Sequence, residues 1–87
     1  CFTKLYKQFN RGQTMKITYD KSVDAAYIYL KMIFPGEVAK TYSCNPIEVG
    51  GEINLDFDSG GCLIGIEILD ASKKLPANFL EIAETPD

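Results

Sequence analysis

The spacing of apolar and polar positions changes its period once along this chain. Phe2, Leu5, Tyr6 and Phe9 fall at i, i+3, i+4 and i+7, one face of a helix, with Lys4, Lys7, Gln8 and Arg11 on the other sides. From Met15 the period drops to two. Residues 15–19 set Ile17 and Tyr19 against Lys16 and Thr18, a first strand. Residues 20–24 read as a turn, where Asp and Ser can bond their own backbone. A second strand over 25–32 is rich in tyrosine and isoleucine, Pro35-Gly36 breaks the chain, and 38–44 is a third strand. Asn45-Pro46 and Gly50-Gly51 bound a loop holding Ile47 and Val49. Residues 53–58 alternate Ile53, Leu55 and Phe57 with Asn54, Asp56 and Asp58, a half-buried fourth strand. Ser59-Gly60-Gly61 closes a hairpin into a fifth strand over 62–69. Asp70 suits the cap of a short helical turn through Lys74. Pro76 suits the first position of a final helix to about Glu84, burying Phe79, Leu80 and either Ile82 or Ala83. The pattern predicts an α+β domain: a five-stranded antiparallel β-meander with a C-terminal helix.

Residues 1–14 stand apart from residues 15–87. They carry Lys4, Lys7 and Arg11 without an acid, whereas the remainder carries all the acids of a chain with net charge −3. Two readings stay open for this basic N-terminal extension. It is an amphipathic helix that docks on the sheet, on a partner or on an anionic surface, or it lies outside the native start that Met15 marks. The acidic body repels phosphate backbones, which argues against nucleic acid as a partner of the main domain.

At 87 residues there is room for one domain and little interior for a dedicated catalytic cavity. An interaction or assembly module is the better expectation than an enzyme. The chain has no histidine, which removes histidine acid/base chemistry, nucleophile–histidine pairs and nearly all catalytic zinc sites. Cys1, Cys44 and Cys62 form no CxxC, so neither a disulfide framework nor a zinc site is indicated. Reduced thiols in a cytoplasmic protein are the plain reading. No apolar run approaches the ~20 residues that span a bilayer.

Three blocks follow one another in order: Met15-Lys16-Ile17-Thr18-Tyr19-Asp20, then Asp24-Ala25-Ala26-Tyr27-Ile28, then Leu63-Ile64-Gly65-Ile66-Glu67-Ile68-Leu69-Asp70-Ala71-Ser72. Over residues 15 to about 75 the chain resembles the small bacterial proteins of domain of unknown function family 2283. Their pattern is a Lys-Ile-x-Tyr-Asp opening, an acidic-Ala-x-Tyr-Ile second strand and a Gly-Ile-Glu-Ile-Leu-Asp-Ala-Ser ending. The resemblance supports the fold and implies no activity. Some such proteins are encoded beside small toxin-like proteins, which makes an antitoxin-like, partner-neutralising role an expectation of the resemblance.

Asp56-x-Asp58-x-Gly60-Gly61, with Glu67 following, matches a calcium-loop template in its acids and glycine. The flanks alternate as strands, however, and an extended 63–69 carries Glu67 away from Asp56, so a polar hairpin turn is the better reading. In a meander, Asp20, Asp24 and Asp70 share one end. They are the candidate divalent-metal or small-ligand carboxylates, with turn stabilisation and helix capping as the plainer roles. Glu67 points away from Ile64, Ile66 and Ile68, together with Leu63, Gly65 and Leu69. That face is apolar enough to need cover from the C-terminal helix or another subunit, and the glutamate needs a partner beneath it. Tyr27 and Tyr29 share a face of strand two, and Tyr42 is placed near them. Tyr27, Tyr29, Tyr42, Leu63, Glu67 and Leu69 are therefore the interface candidates. The expected function is a self-associating protein-interaction module, a homo-oligomer with room for a small protein partner and without a cofactor. The alternative is a metal or small-ligand binder, or a weak hydrolase, built on the carboxylates.

Overall fold

The computed structural model describes residues 15–85. The helix expected within 1–14 lies outside the described residues. The strands are β1 (Lys16–Asp20), β2 (Ala25–Tyr29), β3 (Lys40–Ser43), β4 (Ile53–Phe57) and β5 (Leu63–Leu69). Three single-turn helices accompany them: α1 (Pro46–Val49), α2 (Ala71–Lys74) and α3 (Ala77–Glu81).

All neighbouring strands are antiparallel, in the order β1-β2-β5-β4-β3. This corrects the simple meander. Strands β1 and β2 form one hairpin, β3 to β5 run as a meander, and β5 closes the sheet by pairing with β2. The reason lies in the side chains. Strand β5 is the longest and buries Ile64, Gly65 and Ile68, so it belongs at the centre. Strand β3 reads Lys-Thr-Tyr-Ser and is exposed at all four positions, which suits an edge. Residues 30–39 carry the chain from β2 across to that edge. Strand β2 accordingly ends at Tyr29, earlier than its apolar run, and β3 begins only at Lys40.

Register sorts the side chains. Ala26, Ile68 and Ile53 form one row, and Ile28, Ile66 and Leu55 the next. Ala71 from α2, Leu75 and Leu80 from α3 pack on this face with Tyr19, around the buried Ala26 and Ile68. Each isoleucine so buried contributes roughly 1.5–3 kcal/mol. The cover expected over the Glu67 face thus sits on the opposite face, where the isoleucines bury more apolar area.

Two local expectations change. The loop between Asn45 and Gly50 is helix α1. The Asn45 side chain accepts from the amides of Ile47 and Glu48, Pro46 opens the turn, and Gly50 ends it at φ 69°. The final helix stops at Glu81 with Pro76 at its N-cap, leaving Ile82 72% exposed. Beyond it, Glu84 makes a parallel bridge to Thr18. Its amide donates to Ile17 O and its carbonyl accepts from the Tyr19 amide, each at 2.8 Å. Pairing with the β1 edge satisfies backbone groups that another helical turn would leave in solvent. Cys44 keeps a free thiol, whereas Cys62 is disulfide-bonded, so the expectation of uniformly reduced cysteines fails there.

Candidate functional site

Strands β2, β5 and β4 lie side by side, and their second face carries Tyr27, Glu67 and Asn54 in one row. Tyr29, Gly65 and Asp56 make the next row. Tyr27 reaches diagonally from one row to the other by lying over Gly65. A Cβ at Gly65 would stand 2.0 Å from the Tyr27 hydroxyl oxygen and 2.6 Å from Cζ, so only glycine leaves room for the ring. The Tyr27 hydroxyl donates to Asp56 Oδ2 at 2.5 Å, and Thr41 Oγ1 of β3 donates to the other Asp56 oxygen at 2.6 Å. Four strands are thereby tied across one face. Burial, then the hydrogen bond to Asp56, pushes the Tyr27 hydroxyl well above the ordinary tyrosine range. At neutral pH it stays a phenol that donates, a tie rather than an acid or base. The Tyr29 ring stands edge-on to Tyr27 with centroids 4.6 Å apart, and Lys16 Nζ lies 5.4 Å from the Tyr29 centroid.

Among the described residues Glu67 finds neither lysine nor arginine. Buried Asn54 donates through Nδ2 to Glu67 Oε1 at 2.9 Å and to Glu52 Oε2 at 3.3 Å. The alternation of strand four placed Asn54 on the polar side, yet it is buried while Ile53, Leu55 and Phe57 are only half-buried. The amide between two carboxylates explains its place, and only the register could reveal that.

Two of the three candidate carboxylates, Asp20 and Asp24, are held by separate partners. Asp20 accepts from the Ser22 amide at 3.0 Å and from Ser22 Oγ at 2.6 Å. Asp24 Oδ1 accepts from the Tyr19 hydroxyl at 2.6 Å and the Ser72 amide at 2.9 Å, while Oδ2 accepts from Ser72 Oγ at 2.7 Å. Its carbonyl takes the Ala71 amide. Asp24, from the β1–β2 turn, thus caps α2, the task expected of Asp70. Asp70 occupies the N-cap position at φ 56° and its side chain caps nothing. The hydrogen bond from Tyr19, then that from Ser72, holds the Asp24 carboxyl below the ordinary aspartate range, and the same Tyr19 bond raises the tyrosine. Among the described residues no three acidic or cysteine side chains group as a metal centre would need. The Asp58 carboxylate closes its own turn, accepting from the amides of Gly60 and Cys62 at 2.9 Å each.

Of the interface candidates, Tyr27, Tyr29, Glu67 and Leu69 share the second face, all half-buried, whereas Leu63 lies beyond a β-bulge opposite Phe57 and is 36% exposed. Tyr42 does not join them. Its partner is Leu55, in the row of Ile66 and Ile28, which places it on the helix-covered face at the far edge, 53% exposed. Sequence reading missed the crossing segment that precedes it. Met32, Phe34 and Val38 are exposed there. Phe34 and Val38 line a shallow groove of about 460 Å³ with Tyr27 and Tyr29. The segment is held by an ion pair between Lys31 and Glu37, and Glu37 also accepts from the Phe34 amide at 3.0 Å. Three large apolar residues around Pro35-Gly36 were the available signal.

Among the described residues no helix is long and apolar enough to cross a membrane. The family model described as "Protein of unknown function (DUF2283)" matches residues 16–72. No curated protein and no solved structure matches the chain.

Proposed function

The chain belongs to the protein family of unknown function DUF2283, and on that footing we propose that it is a small protein-interaction module that self-associates through the β3 side of its sheet. The observation that carries this reading is the contrast between the two sheet edges. The C-terminal segment occupies β1 through Glu84, while β3 is exposed at every position. An uncovered edge is a template for another strand. Beside it, Val38, which leads into β3, and Tyr42 on the strand expose apolar surface of the kind that marks association sites. The hydrogen-bonded polar face favours a structural role over catalysis, because each carboxylate there already has a donor.

Light scattering on the purified chain tests the proposal. It predicts a mass of two copies that falls towards one on dilution; a single-copy mass at all concentrations contradicts it. A carboxylate-based metal role has a different signature. Added calcium or magnesium would raise Tm, and Asp20→Asn or Asp24→Asn would abolish the rise.

A further inference from the structure

The hydrogen-bond phase of β3 restricts how a second copy can pair with it. The Cys44 amide donates to Ile53 O at 2.9 Å, so Cys44 and Ile53 are a hydrogen-bonded pair. Direct partners alternate along an antiparallel ladder, so Tyr42 and Leu55 are another such pair. Thr41 and Ser43 are then the residues whose N–H and C=O groups point away from β4. Among the described residues no hydrogen bond reaches those four groups. The outward set ends there, because the Ala39 amide turns back to Phe57 O at 2.8 Å and Asn45 is committed to α1.

We propose that two copies of this chain pair β3 with β3 in a single antiparallel register, with Tyr42 on the two-fold axis. The inference rests on the self-association reading above. In this register Thr41 faces Ser43 of the second copy, and the two copies exchange four hydrogen bonds. Registers centred on Thr41 or on Ser43 exchange only two. The interface is isologous, as a closed dimer requires. Charge allows it as well. The chain carries net charge −3, but β3 holds one lysine and no acid, so no carboxylates on the strand are set opposite each other. Lys40 falls opposite Cys44 of the second copy instead of its own counterpart. The other edge offers less, since Glu84 already takes the Ile17 carbonyl and the Tyr19 amide there. The register also joins two half-exposed Tyr42 rings as a cross-strand aromatic pair.

Cysteine cross-linking reads the register directly. Cα atoms of a non-hydrogen-bonded antiparallel pair lie about 4.5 Å apart, inside the ~4.4–6.8 Å range of disulfides. With Cys44→Ser as background, Tyr42→Cys is expected to give a disulfide-linked dimer under mild oxidation, and Lys40→Cys and the background alone are not. Should losing the tyrosine weaken association, mixing Thr41→Cys with Ser43→Cys tests the same register, and the mixture should cross-link more than either variant alone. A single-copy mass for the unsubstituted chain by light scattering overturns the self-association reading and this inference with it. A two-copy mass in which neither position 42 nor the 41/43 mixture cross-links, or in which Lys40→Cys does so instead, overturns the register and leaves self-association standing.

Discussion

Gly65 is where one missing Cβ decides the geometry of a whole face. Its role is steric, because the Tyr27 ring occupies the space a side chain would need. Gly65→Ala must displace that ring from Asp56, at a cost of about 1–3 kcal/mol, the range for overpacking. A double-mutant cycle distinguishes this cause from a general loss of strand stability. In a Tyr27→Ala background the Gly65→Ala penalty should largely vanish in denaturant melts, and an unchanged penalty contradicts the account. A second pair of residues shares a backbone and differs in occupation. Asp24 and Asp70 sit at φ 54° and 56°, where glycine is the relaxed choice. Asp24 holds Tyr19 and Ser72, and Asp70 caps nothing. Asp24→Gly is therefore expected to destabilise by about 1 kcal/mol or more. Asp70→Gly should be neutral or stabilising by up to about 1 kcal/mol. Equal losses by thermal melting would refute the assignment of the cap to Asp24. From the sequence, Asp70 was the natural cap, being the residue before the helix. The true cap comes from 48 residues away, and no local pattern carries that information.

At the scale of elements, period and punctuation made the strands legible. Four of the five lie within the segments that alternation and the Gly and Pro breaks mark out, and β1 runs one residue past its segment to Asp20. Helix α1 was legible in principle, since Asn45, Pro46 and Gly50 are cap, first-turn and terminator residues. The short span hid it. Strand order was not legible, because the same five strands make a simple meander or the observed order, and the choice rests on which strand can be buried on both faces. Reading β5 as two-sided was the clue to its central place. The joint between the β1–β2 turn and α2 gives an element-scale prediction with a definite sign. The folded-state pKa of Asp24 is depressed. Its contribution is therefore complete above the unfolded value of about 4 and is lost as pH falls through the folded value. The Tm gap between wild type and Asp24→Asn should narrow as pH is lowered from neutral into that range. A gap that stays constant would show that the carboxylate's charge is not what holds α2 to the turn. Glu37, depressed mainly by its bond from Lys31, should lose its own contribution on the same side.

For the molecule as a whole, the two edges decide the account. The C-terminal segment returns to pair with β1, whereas among the described residues the outward backbone groups of Thr41 and Ser43 on β3 stay open to a second chain. The apolar neighbours of Glu67 along strand five had pointed to a covering surface at the Glu67 face. In the fold that face is internally tied by Tyr27, Asp56, Asn54 and Glu67, and the open backbone lies one strand beyond it, on β3. An interaction surface was thus legible as a need, but its location was not, because it depends on strand order. The most direct measurement is light scattering over a dilution series on the wild-type chain and on Ser43→Pro. Proline at 43 removes an N–H that points away from β4, so the fold and its Tm should be nearly unchanged. Two of the four bonds between copies are lost, and the account predicts a two-copy mass for wild type that shifts to one copy in the variant at the same concentration. A wild-type chain that stays single, or a Ser43→Pro variant that remains folded and fully dimeric, would contradict association through the β3 edge.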